Sequence, residues 1–231
     1  MELTKKPQKP IILQGFPGFG LVGTITTEFL IRHCKCEMIG KMWFEDLPAA
    51  VAIHKGEIIH PVSIYYNEDY NLVILHSISG GQGIEWKVTD FLMELGNQLD
   101  ATEFLSLEGI GISEEKETSD VFYHTTTNER KKYLEEKGLK QLNEGVMMGV
   151  TSALILKEKR QITTLFVETH ADFPDSKAAA ELIKCLDKIL DLDVDPGPLY
   201  ESAKKFEENF NKIIQQGHHT QNKKRQMNYL G

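Results

Sequence analysis

Residues 11–26, Ile-Ile-Leu-Gln-Gly-Phe-Pro-Gly-Phe-Gly-Leu-Val-Gly-Thr-Ile-Thr, constrain the fold more than any other stretch of this chain. Three apolar residues, Ile11 to Leu13, run into a glycine-rich turn, and Leu21, Val22 and Ile25 follow at helical spacing. A buried strand, a tight loop and a helix are predicted, which is how an α/β domain begins. Gly18, Gly20 and Gly23 also fit G-x-G-x-x-G, a spacing that lets a backbone approach a phosphate at a helix N-terminus. The plainer reading is that a sharp strand-to-helix turn needs glycine for positive φ and close packing, whatever is bound there.

The companions of a nucleotide site are poorly placed. A dinucleotide fold needs an acid ending its second strand, expected here over Glu37 to Phe44, and the nearest acids, Glu45 and Asp46, fall in a turn beside Leu47-Pro48. No Lys-Ser or Lys-Thr follows the glycines, so there is no triphosphate P-loop. Phe16, Pro17 and Phe19 suit a packed turn or a protein contact better than a pyrophosphate cradle.

With 231 residues, 41% of them hydrophobic, the chain can bury one generous α/β core and an appendage. Its organisation is expected as a core domain over 1–195, a C-terminal helix over 196–216 and a flexible tail over 217–231. A net charge of −8 argues against a general nucleic-acid binder. Three cysteines, Cys34, Cys36 and Cys185, are too few for a disulfide framework and point to a reducing interior. The apolar run after Lys5-Lys6 is far too short for a signal peptide or a membrane span, so a cytoplasmic protein is expected, with no membrane and no nucleic-acid partner.

Taken in order, the first helix should end near Arg32 and His33, and Met38 to Phe44 gives a second strand. Ala50 to His54 and Ile58 to Tyr66 alternate around Lys55-Gly56, predicting an antiparallel hairpin inserted in an otherwise crossover-connected sheet. Leu72 to His76 is a short strand entering a second glycine-rich loop, Ser79-Gly80-Gly81-Gln82-Gly83, before an amphipathic helix carrying Val88, Phe91, Leu92, Leu95 and Leu99. A strand over Glu103 to Leu107 ends at Gly109 and Gly111, and a short one covers Val121 to His124. Asn128 to Lys137 should be a surface helix capped by Gly138. Gly145 and Gly149 mark a loop entering a helix, and Ile162 to Val167 reads as a central strand.

That strand leads to Glu168-Thr-His170-Ala-Asp172-Phe-Pro174-Asp175, ionisable groups at a strand's carboxyl end, where open α/β sheets bind ligands. Asp175 or Ser176 should cap the next helix, with Leu182, Ile183, Leu186, Ile189 and Leu190 on its apolar face. Asp195-Pro196-Gly197-Pro198 then breaks the chain before a last helix running to about Gln216. Residues 217–231 are polar and carry Lys223-Lys224-Arg225, yet finish with Met227, Tyr229 and Leu230, which a merely solubilising tail does not need.

Reactive groups are sparse. His33, Cys34 and Cys36 have no second ligand pair at zinc spacing, so no metal is expected. No Gly-x-Ser-x-Gly elbow is present. His76 and His170, each following an apolar strand, could meet at the top of the sheet with Glu168 or Asp172, but hydrogen-bonded structure explains them more cheaply. If a small ligand binds, its loop is Gly18, Gly20 and Gly23 with Gly80, Gly81, Glu168, His170 and Asp172.

Gly15-Phe-Pro-Gly-Phe-Gly-Leu-Val-Gly23, Gly145-Val-Met-Met-Gly-Val150, Glu168-Thr-His-Ala-Asp-Phe-Pro-Asp-Ser-Lys-Ala-Ala-Ala180 and Asp193-Val-Asp-Pro together resemble the archaeal proteasome-assembly-chaperone family, related to the second subunit of the eukaryotic chaperone pair. The resemblance covers about residues 11 to 210. It implies one three-layer α/β/α domain of the nucleoside-phosphorylase or hydrolase-like type, mostly parallel, with homo-oligomerisation, no cofactor and no established catalysis. It also implies proteasome α-subunits as partners, gripped by a C-terminal hydrophobic-Tyr-any tail. Tyr229, Leu230 and Gly231 are the matching residues here, although Tyr229 stands third from the end where the motif places tyrosine second. The competing expectation is a phosphorylase- or hydrolase-like enzyme, or a nucleotide or small-ligand binder, using the glycine-rich loops.

Overall fold

The computed structural model describes residues 2–46, 51–54, 57–78, 82–112, 118–169 and 173–203. Three apolar stretches form its centre: β1 (Ile11–Gly15) lies between β6 (Leu72–Ser77) and β7 (Glu103–Gly111), parallel to both. β7 pairs in parallel with β10 (Gln161–Thr169). Parallel neighbours need crossovers, and α1 (Val22–His33), α2 (Glu85–Leu99) and α4 (Val150–Lys157) lie in those connections, while α5 (Ser176–Leu190) follows the last strand and packs back on the sheet and α1. A surface helix, α3 (Asn128–Glu136), completes the set.

The edges are antiparallel. β2 (Glu37–Met42) pairs with β5 (Val62–Asn67), which pairs with β6, while β8 (Val121–Thr125) runs against β10 and carries the short β9 (Lys140–Gln141). The resulting eight-stranded order is β2-β5-β6-β1-β7-β10-β8-β9.

Alternation along each strand divides the core in two. Leu13, Ile74, Leu105 and Leu165 face α1, α3 and α5, and Ile12, Val73, Leu75 and Phe104 face α2 and α4. Every one of these side chains is fully buried or within 2% of it. Burying each such side chain contributes roughly 1.5–3 kcal/mol, so the two apolar layers are the dominant stabilising term. Ala178, Ala179 and Ala180 are all fully buried and keep the first turns of α5 slim where it meets the sheet and α1. Asp175 caps α5, its Oδ1 accepting from the Ala178 amide at 2.8 Å, as the sequence predicts.

The expected inserted hairpin is β3 (Ala52–His54) and β4 (Glu57–Ile59), an antiparallel pair forming its own two-stranded sheet between β2 and β5. The stretch from Ile58 to Tyr66 is two strands rather than one, parted at Pro61, which has no N–H to donate to a ladder. β7 also differs from its expected extent, running through Gly109 to Gly111. Glycine there admits a neighbouring chain rather than ending the strand: a Cβ on Gly109 would lie 2.5 Å from the Phe19 carbonyl oxygen. Gly145 and Gly149 precede α4 as expected, with Gly149 at φ 91°. Residues 197–203 begin the predicted last helix, and its remainder, like residues 217–231, lies outside the described residues.

Candidate functional site

The parallel strands β1, β6, β7 and β10 end on one side of the molecule, where the glycine-rich turn, the start of α4 and the start of α5 converge. The glycines of the turn are held by the protein itself. A Cβ on Gly15 would lie 2.6 Å from the Gly23 carbonyl carbon and 2.7 Å from the Thr27 methyl. The end of β1 and the first turn of α1 therefore touch backbone to backbone. Gly20 has φ 62° and the Thr169 side chain directly over its Cα. Thr169 donates its hydroxyl hydrogen to Asp175 Oδ2 at 2.8 Å, and the Asp175 amide donates to the Gly20 carbonyl at 2.8 Å. Gly18, the first glycine of the G-x-G-x-x-G spacing, is extended, with its nearest neighbour, Glu108 Oε2, 3.8 Å from an added Cβ. Packing against β7, β10 and α5 thus accounts for Gly20 and Gly23 with protein atoms.

The other sequence candidates divide. His76 is 2% exposed, with Nδ1 2.9 Å from Thr27 Oγ1. The Thr27 hydroxyl also lies within donating distance of the Gly23 and Thr24 carbonyls, so it joins His76 to the first turn of α1. Burial lowers the His76 pKa, favouring the neutral ring, which the Thr27 contact ties to the start of α1. Glu168 accepts at Oε2 from the Asp120 amide at 3.2 Å while its own amide donates to the Asp120 carbonyl, which clasps β10 to the start of β8. Gly80, Gly81, His170, Asp172, Tyr229, Leu230 and Gly231 lie outside the described residues.

A polar group that sequence reading missed lies on the opposite face of the same strands. Gln14, Ser106 and Thr164 are in register on β1, β7 and β10, each no more than 1% exposed. Gln14 Nε2 donates to Ser106 Oγ at 2.6 Å and to Thr151 Oγ1 at 3.4 Å. Thr151, in the first turn of α4, donates to Glu108 Oε1 at 2.5 Å. Burial pushes the Glu108 carboxyl up to about 7, the Thr151 hydrogen bond opposing the rise. Gln14 Oε1 and Thr164 Oγ1 are buried without a hydrogen-bond partner. The sequence signal was Ser106 and Glu108 at the period-two positions of a strand whose other residues on that face, Phe104 and Ile110, are apolar. Chemically, Glu108 can exchange a proton near neutrality.

Among the described residues no group of three or more His, Cys, Asp or Glu could hold a metal ion. Burial pushes the Cys36 and Cys185 thiols up to about 12, away from thiolate chemistry. No helix among the described residues is long and apolar enough to cross a membrane.

Known proteins share this architecture from end to end. PbaA of Pyrococcus furiosus, an archaeal homologue of proteasome-assembly chaperone, superposes with a TM-score of 0.85 at 27% identity, over 97% of this chain and 96% of its own. PbaB of the same organism, an archaeal proteasome activator, shares the fold at TM-score 0.80 and 22% identity, over 92% of this chain and 97% of its own. The uncharacterised protein MJ0106 of Methanocaldococcus jannaschii is 24% identical over 213 residues, covering 90% of this chain and 87% of that one. The model of the PAC2 family matches residues 12–214, and the chain belongs to that family.

Proposed function

We propose that this protein is a homo-oligomeric proteasome assembly chaperone or adaptor that docks on proteasome α-subunits through residues 217–231. The observation that carries this reading is the near end-to-end likeness to PbaA, at 27% identity and 97% coverage of this chain. The glycine turn agrees with it, because Gly20 and Gly23 are occupied by Thr169, Phe16 and Leu107 of the same chain. Met227, Tyr229 and Leu230 provide the apolar grip and Lys223-Lys224-Arg225 the charge beside it. Treated as a flexible chain, fifteen residues span about 20 Å root-mean-square, so several tails on one oligomer reach neighbouring pockets together and raise one another's effective concentration.

Deleting Tyr229 to Gly231 tests the proposal. The truncated chain should keep its fold and oligomer mass and lose capture of proteasome α-subunits in a pull-down. Undiminished capture removes the tail mechanism.

A further inference from the structure

Ten of the twelve large apolar side chains that stand exposed among the described residues lie at one end of the molecule. It is the end where the parallel strands finish. Phe19 and Leu21 follow β1, Trp86 opens α2 just after β6, and Phe173 follows β10. β2 runs parallel to β1, because it opposes β5 and β5 opposes β6, so Trp43 just beyond its end belongs there too. The β3–β4 hairpin, with Val51 just before it, lies in the connection from the end of β2 to the start of β5, both of which are at this end. Val146 and Met148 lead into the first turn of α4, which Thr151 fixes beside Glu108. Met38 and Leu156 are the two placed elsewhere.

Exposure here is extensive. Ile53 and Ile58 are cross-strand partners on one face of the hairpin, 74% and 61% exposed, and Val146 and Met148 are 93% and 80% exposed. At roughly 100 Å² each, ten such side chains together expose on the order of 1,000 Å² of apolar surface at this one end, a concentration that singly scattered surface residues do not produce. It is of the same order as the ~800 Å² that each partner buries in a standard stable interface. An isolated two-stranded hairpin is marginal in water, and its isoleucine pair needs a second surface to pack on.

We propose that this apolar end is the face through which copies of this chain associate. The proposal rests on the homo-oligomeric reading above and names the surface it uses. A permanently covered face accounts for the apolar excess, since obligate interfaces are the hydrophobic ones, whereas a client engaged transiently meets a more polar surface. A second copy is the partner always present with the protein. The tail, a separate element, then remains for the client.

The test is the mass of the full chain by light scattering on a sizing column at micromolar concentration. Wild type should run at a multiple of 26.2 kDa. Ile53→Glu with Ile58→Glu, and separately Val146→Asp with Met148→Asp, should each run at a single chain's mass with unchanged circular dichroism. Leu156→Glu, exposed but away from this end, should keep the multiple. A wild-type monomer, or a folded Val146/Met148 variant that keeps the multiple, overturns the proposal. The second pair lies in a loop outside any strand or helix, so the outcome stands even if the hairpin variant unfolds. Removing Tyr229 to Gly231 should leave the mass unchanged, so lost proteasome capture at constant mass concerns the tail alone.

Discussion

Thr151 donates its hydroxyl hydrogen to Glu108 at 2.5 Å, tying the first turn of α4 to the outer end of β7. The hydrogen bond crosses 43 residues of sequence and seats an acid where burial raises its pKa to about 7. The folded pKa lies above that of the unfolded chain, so the folded state holds a proton that the unfolded state releases. Stability from this group is complete below about pH 4.5, falls as pH rises and is gone above about 7, a loss on the order of 3 kcal/mol. Glu108→Gln keeps an oxygen acceptor for Thr151 without the charge. The variant should flatten that part of the pH profile, read as urea midpoints at pH 5 and pH 8. A wild-type profile in the variant would place the titration elsewhere.

The glycine turn yields a graded series. Gly15→Ala drives a methyl into the Gly23 carbonyl and Thr27, and Gly20→Ala adds positive-φ strain to a collision with Thr169. Each should cost at least about 2 kcal/mol in chemical denaturation. Gly18→Ala meets nothing closer than 3.8 Å in an extended backbone and should be nearly neutral. A phosphate cradle would demand the reverse emphasis, with Gly18 among its necessary members. Nucleotide-induced thermal stabilisation lost in Gly18→Ala would therefore favour the small-ligand reading.

Much of this architecture was legible from local pattern. α2 buries Val88, Phe91, Leu92, Leu95 and Leu99 as their spacing demands, and Asp175 caps α5 through an interaction three residues long. What escaped depends on contacts between distant segments. Gly109 reads as a strand terminator until Phe19 is seen lying across it, and the run from Ile58 to Tyr66 reads as one strand until Pro61 is weighed as a missing donor. Of the candidate site, Gly20 and Gly23 were legible as positions requiring glycine, but not that Thr169 and Leu107 are what they make room for. Glu108 and Gln14 went unnoticed because their common partner, Thr151, comes from a helix that no local periodicity ties to β7.

Arg130 and Glu103 supply the last prediction. Arg130 Nε donates to Glu103 Oε1 at 3.1 Å with the two side chains 12% and 4% exposed, joining the first turn of α3 to the start of β7. The guanidinium carbon also lies 4.9 Å from the centre of the Tyr133 ring, while Arg130 Nη2 is buried without a partner. Removing one member strands the other charge in a low-dielectric site. Glu103→Ala should therefore cost about 3–5 kcal/mol, more than the net worth of the pair. Replacing both by apolar residues of similar size, Glu103→Leu with Arg130→Met, removes the charges together and should recover most of that loss. Urea denaturation of Glu103→Leu, Arg130→Met and the double gives the coupling directly. Additive losses would mean that the two side chains contribute to stability independently, and that the ion pair is not what holds α3 to β7.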